Sequence, residues 1–216
     1  MHVPADCCVP YEGLSPEAAC QAEPGGVAYD MVRTADVQMG DRVCLVGPGP
    51  IGLAAVALAR HRGASRLLCV GRASNGRRLA LAGERGAETL ATDAPLDSLA
   101  DLKRRFDHVL VTAPTGCLVP AMALLAYGGV LTYIGIGTGD ATVRFDANEF
   151  HFRKLQLRAS FASPAIYFPA VLRLMRGGVM PAESLVSHTF PLERIAEAFA
   201  LCRDRKQETV KVIIKP

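Results

Sequence analysis

The sequence predicts an α/β fold: a doubly wound, six-stranded parallel sheet with helices on both faces. Three observations carry it. Val43 to Val46 is a continuous apolar run of the kind a strand buried on both faces needs. It passes through Gly47, Gly49 and Gly52 directly into Leu53 to Arg60, an Ala- and Leu-rich stretch with no breaker, so strand, tight turn and helix follow in order. Apolar strand-like runs and helix-like runs then keep alternating as far as Ala159.

In chain order, His2 to Val9 reads as extended, and Ser15-Pro16-Glu17 as a helix start with Ser15 as N-cap and Pro16 as first helical residue. A helical region runs from Ala18 to about Thr34, interrupted near Pro24-Gly25-Gly26. Gly40-Asp41 turns the chain into the first strand. Later strands are expected at Arg66 to Val70, Ala87 to Leu90, Phe106 to Val111, Gly129 to Ile134 and Leu155 to Ala159. Helices are expected at Arg77 to Leu81, Leu96 to Lys103 and Cys117 to Ala126. Beyond the sheet, Pro164 to Met175 reads as a helix ended by Gly177-Gly178, Leu192 to Cys202 as an amphipathic helix, and Val210 to Ile214 as a strand.

The glycine turn is where chemistry is expected. Gly47 makes the turn, Gly49 lets a pyrophosphate approach the backbone, and Gly52 lets the helix pack on the strand. Pro50 stands at the first helical position, where a missing N–H costs little. Pro48 donates nothing either, so the amides of Gly49, Ile51 and Gly52 are the candidate phosphate donors at the positive helix end. This predicts a nicotinamide dinucleotide site. At the end of the second strand, where a carboxylate would bond the ribose of NAD, stands Gly71, followed by Arg72, Ser74, Arg77 and Arg78. Guanidinium groups and no acid favour NADP, although Gly71 alone also tolerates NAD.

Composition bounds the rest. The chain has 216 residues, half of them hydrophobic and 21% charged, with a net charge of +3. That balance gives no reason to expect nucleic acid or a membrane surface, and no apolar stretch is long enough for a transmembrane helix. The odd count of 7 cysteines, with no Cys-x-x-Cys pair, fits a reducing, cytoplasmic setting. His2, His61, His108, His151 and His188 show no paired metal spacing; of these His188 is the nearest candidate for the cleft. The Tyr-x-x-x-Lys dyad, the Gly-x-Ser-x-Gly elbow and the phosphate-binding Gly-Lys-Ser/Thr are all missing from the sequence.

Several spaced motifs recur together: Glu23-Pro24, Gly47-Pro48-Gly49-Pro50-Ile51-Gly52, Gly63-Ala64, Arg78-Leu79-Ala80 with Gly86-Ala87, and Gly128-Gly129 before a strand ending at Gly135. With Phe190-Pro191-Leu192-Glu193, Ala198-Phe199 and the closing Lys211 to Pro216, the chain resembles the medium-chain dehydrogenase/reductase superfamily, nearest to its zinc-type alcohol, polyol and threonine dehydrogenase branch. The resemblance implies a Rossmann domain over residues 39–178, preceded at 1–38 and followed at 179–216 by remnants of a GroES-like catalytic domain. It implies that the nicotinamide lies against Val111 to Ala113, Ile134, Gly135 and Ile136, and Ser160 to Phe161, and that Glu23 matches an acidic residue at or near the catalytic zinc.

The Cys and Gly-His-Glu that would supply the other zinc ligands are missing here, as is the structural zinc lobe. The chain is therefore expected to be a truncated, cofactor-binding portion, inactive alone. In the complete enzyme the resemblance implies hydride transfer between nicotinamide and an alcohol or ketone, with zinc polarising the oxygen. A zinc-independent reductase of the quinone or enoyl type and a non-catalytic NADP(H)-binding module are the alternatives. The edge strand at 155–159 leaves backbone groups free to pair with a second copy, so a homo-oligomer is expected.

Overall fold

In the computed structural model, which describes residues 2–161, 164–180 and 182–216, six strands form one parallel sheet in the order β3-β2-β1-β4-β5-β6. They are β1 (Arg42–Val46), β2 (Arg66–Gly71), β3 (Glu88–Ala91), β4 (Phe106–Val111), β5 (Leu125–Tyr133) and β6 (Gln156–Ala159). This is the Rossmann order, with the switch in direction between β1 and β4. Alternate residues of β1 show why both faces are covered. Val43 and Leu45 belong to one core cluster, Cys44 and Val46 to the other, and all four are buried.

One face carries α2 (Ala22–Ala35), α3 (Pro50–His61), α4 (Gly76–Gly83) and α7 (Phe168–Arg176). Gly52 to Ala59 in α3 are all buried, because the sheet lies on one side of that helix and α2 packs on it as well. The other face is covered by the short α5 (Leu118–Met122) and by Leu96 and Leu155. The remaining helices are α1 (Pro16–Ala19), α6 (Ala147–Phe152), α8 (Ala182–Leu185) and α9 (Ile195–Asp204). A separate parallel pair, β7 (Val186–Pro191) and β8 (Lys211–Lys215), is joined through α9.

Several elements differ from the sequence expectation. The early helical region breaks at Cys20-Gln21 and not at Pro24, which sits in the first turn of α2, where no intrahelical N–H is needed. Leu96 to Lys103 is not an α-helix: it forms two three-residue 3-10 turns, Leu96–Ser98 and Ala100–Leu102, neither with a side-chain cap. The expected helix to Ala126 ends at Met122, since Leu124 and Leu125 are both fully buried and Leu125 already pairs with Phe106. Within 2–9, residues Ala5–Cys7 make a 3-10 turn. Besides the short α8, two further elements had no counterpart in the sequence reading. They are β7, and α6, whose N-cap Asp146 accepts hydrogen bonds from the Asn148 and Glu149 amides.

Candidate functional site

The carboxyl ends of β1, β2, β3 and β4 open into a groove of about 680 Å³. Its floor is the glycine turn. Gly47 has φ +106°, and a Cβ there would stand 2.8 Å from Thr112 Oγ1 and 2.9 Å from the Ala113 nitrogen, so only glycine fits. The Thr112 hydroxyl donates to the Gly47 carbonyl at 2.6 Å and fixes the turn against the end of β4. A Cβ on Gly52 would collide with the same carbonyl. Gly49 is different: it is the N-cap of α3, and nothing lies within 4 Å of where its Cβ would be. The turn is closed on the protein side and open on the groove side.

The start of α3 carries no side-chain cap and no acid in its first turn. The positive end of a 12-residue helix therefore faces the groove uncompensated. Gly47 and Gly49 line the groove, whereas Pro50, Ile51 and Gly52 begin the helix behind them and are not among its lining residues.

Gly71 and Arg72 also line the groove, as expected, and the reason for Gly71 is now physical. The Pro48 ring lies over it, and a Cβ would come within 2.7 Å of Pro48 Cγ. No carboxylate could occupy that position without moving the glycine turn. Arg72 is exposed, and its N–H donates to Asn75 Oδ1 at 3.1 Å. Burial pushes the nearby Cys117 thiol up, and the Arg72 charge opposes that shift.

Arg77 is not among the groove-lining residues. Its Nη1 donates to the Glu208 carbonyl at 2.8 Å. Ser74 and Arg78, also named in the sequence reading, line the groove, and Arg78 gives two hydrogen bonds, 3.0 and 2.8 Å, to the Thr209 carbonyl. Burial draws its pKa below the ordinary arginine value, and the guanidinium stays charged. Lys206 and Gln207, Thr92 and Asp93 complete the far end. None carried a local signal in the sequence.

The second expected group gathers at the ends of β4, β5 and β6. Ala113 lines the groove, and the missing side chain of Gly135 lets that strand end lie against the Ala113 carbonyl. Val111 is fully buried, and its carbonyl accepts from the Ile134 amide at 3.2 Å, so it offers a ligand nothing directly. Ile136 and Phe161 are 84% and 94% exposed. Next to Phe161, Ser160 donates to Asp30 Oδ2 at 2.6 Å, and Tyr167 donates to Asp30 Oδ1 at 2.9 Å, tying this edge to α2.

Glu23 lies exposed in the first turn of α2. Among the described residues no three or more His, Cys, Asp or Glu side chains stand together as metal ligands, so the residues present do not fit a zinc centre. His188 lies on β7, with Nδ1 3.1 Å from Ser187 Oγ, and does not line the groove.

A zinc-binding dehydrogenase family model matches residues 50–177. The chain is 30% identical to the L-galactonate-5-dehydrogenase of Escherichia coli K12 over 220 residues, covering 99% of this chain and 63% of that enzyme. It is similar in structure to the alcohol dehydrogenase TADH of Thermus sp. ATN1, at 29% identity and TM-score 0.82, covering 94% of this chain and 60% of that one. It also shares the fold of a short chain alcohol dehydrogenase of E. coli CFT073 complexed with NADH, at TM-score 0.88 and 23% identity, covering 99% and 64%. The chain thus spans about three-fifths of the length of these relatives. No helix among the described residues is long and apolar enough to cross a membrane.

Proposed function

The chain belongs to the zinc-binding dehydrogenase family, and from that premise we propose that it is the dinucleotide-holding portion of an oxidoreductase that interconverts an alcohol and a ketone. The observation that carries the reading is the open Gly49 position at the uncapped start of α3, on the floor of a groove at the switch in strand order. Amides of Gly49, Ile51 and Gly52 would hold the pyrophosphate, and Gly71 and Arg72 would face the adenosine ribose. The ends of β4 to β6, at Ala113, Ile134, Gly135, Ile136 and Phe161, would face the nicotinamide. Such a cofactor, when bound, supplies reversible hydride transfer.

With Arg72 at the ribose end and no acid in the Gly71 position, the favoured cofactor is NADP. The zinc-type branch is preferred over a quinone or enoyl type because Glu23-Pro24 matches its motif. Residues 1–38 and 179–216 are assigned to the ends of a GroES-like domain, in keeping with the separate β7-β8 sheet, and 39–178 to the cofactor domain. β6 is an edge of the large sheet, which favours pairing with a second copy.

The metal ligands do not fit, so binding without turnover is the behaviour proposed for these 216 residues alone. Nicotinamide fluorescence titration tests it. NADPH or NADH is expected to bind with a micromolar dissociation constant and no alcohol oxidation. Failure of both to bind at millimolar concentration would overturn the dinucleotide reading, and steady turnover would overturn the proposed inactivity.

A further inference from the structure

The carboxylate of Asp30, in the middle of α2, gathers two hydroxyls that lie far from it in the chain. Ser160 donates to Oδ2 at 2.6 Å and Tyr167 to Oδ1 at 2.9 Å. Ser160 is buried just past β6, with its amide donating to the Tyr133 carbonyl at the end of β5, and Tyr167 is the N-cap of α7. Both carboxylate oxygens are thus taken by hydroxyl donors, in short, charge-assisted bonds. Arg33, the one cation of α2, is not a partner. Its guanidinium lies over the rings of Tyr29 and Tyr167, 5.8 and 5.5 Å from their centroids, and the two rings stand 5.3 Å apart.

The same helix holds β6 at a second point. Arg158, two residues before Ser160 and so on the same side of the strand, donates to the Thr34 and Ala35 carbonyls at the end of α2, at 2.8 and 3.4 Å. With Arg158 and Ser160 turned to α2, Phe161 is left 94% exposed at the strand end. Without Asp30 the Ser160 hydroxyl would be buried with no acceptor, a state that favours movement of the strand end toward water. The place of Phe161 is therefore set from α2, through one carboxylate.

We propose that Asp30 is a positioning residue for the nicotinamide half of the cofactor: through Ser160 and Tyr167 it fixes the strand end that faces the nicotinamide, and the adenosine half does not depend on it. The assignment rests on the groove being the dinucleotide site. Asp30 does not line that groove, so its effect on binding passes through the residues it holds.

The test is isothermal titration of the full chain and its Asp30→Ala and Asp30→Asn variants with two ligand pairs, NADH against ADP-ribose and NADPH against 2′-phospho-ADP-ribose, so that each fragment lacks only the nicotinamide. Asp30→Ala is expected to weaken the dinucleotides by about tenfold while the fragments stay within about twofold. Asp30→Asn keeps a carbonyl acceptor and should weaken them by only about threefold, with the same selectivity; it carries the test if Asp30→Ala does not fold. Adding Ser160→Ala to Asp30→Ala should cost nothing more, because the bond it removes is already gone. Equal weakening of a dinucleotide and its fragment would overturn the proposal, since that marks a damaged fold, as would no change in either. A wild-type chain that binds the dinucleotides no more tightly than the fragments also overturns it while leaving the dinucleotide reading intact; a chain that binds none of the four overturns both.

Discussion

Gly49→Asp separates the fold from the ligand site, because the same carboxylate should help one and ruin the other. Gly49 caps α3 at φ −72° and ψ 174°, a conformation open to any residue, and a Cβ there meets no atom within 4 Å. Asp is a better N-cap than Gly by a few tenths of a kcal/mol, and its charge at the helix start adds about 0.3–1 kcal/mol. The unliganded variant should therefore melt at the wild-type temperature or about 1–4 °C above it. The carboxylate would then stand where the pyrophosphate belongs. A pair of like charges about 4 Å apart repels by about 1 kcal/mol in a water-like medium and about 4 kcal/mol at an effective dielectric of 20. Two phosphate charges double that, so NADPH and NADH binding should fall by at least about 30-fold. Differential scanning fluorimetry reads the first effect and nicotinamide fluorescence the second. A variant with unchanged melting that still binds within about threefold of wild type would refute the placement of the phosphates at this helix end.

Other expectations follow from the same geometry. Gly47→Ala forces a side chain to φ +106° and against Thr112, and should cost about 1–3 kcal/mol, seen as a melting point lower by roughly 3–10 °C. The side-chain hydrogen bonds from Arg42 hold the Asp107 carboxyl below its ordinary range. A depressed folded-state pKa gives stability that is present above the unfolded value near about 3.9 and lost as the pH falls through the folded one. With the two side chains 43% and 34% exposed, Asp107→Asn should cost only about 0.5–1 kcal/mol at neutral pH. Denaturant melts should show that difference shrinking below about pH 4. Arg78→Met keeps the stem but leaves the buried Thr209 without its two donors, a loss of about 1–2 kcal/mol in urea melts that Arg78→Lys should partly restore. A strong chelator should leave the melting temperature within about 1 °C, because a bound metal would otherwise add its binding energy to the fold.

What the sequence made legible was what local geometry decides. The glycine turn could be read because each glycine answers a constraint within a few residues of itself, and the β1 burial pattern because strand faces alternate by one residue. Leu96 to Lys103 misled because its apolar spacing suits a helix, while only Leu96 is buried and the segment closes as short turns. The cap at Asp146, with Glu149 three residues on, was readable as a helix start and shows that α6 had a local signal. Lys206 had none. Its place in the groove depends on guanidinium bonds to backbone carbonyls, and a carbonyl acceptor leaves no trace in residue type. The same holds for Gly71: the missing acid is visible in the sequence, but the Pro48 ring that forbids one is visible only in three dimensions.

The dinucleotide half of the site and the metal half differ in what they ask of a chain. A phosphate cradle is made of backbone, so one strand, one turn and one helix are enough to build it, and the one proposed here spans Arg42 to His61. A catalytic zinc needs three protein ligands converging at fixed distances, and such ligands come from separate segments brought together by the whole fold. Glu23, exposed in the first turn of α2, can supply at most one. A backbone cradle asks for nothing beyond its own strand, turn and helix, whereas a metal site with a single protein ligand has little affinity. Binding without turnover is the outcome that this inequality predicts for the chain, and it makes cofactor affinity, not activity, the quantity through which its residues should be judged.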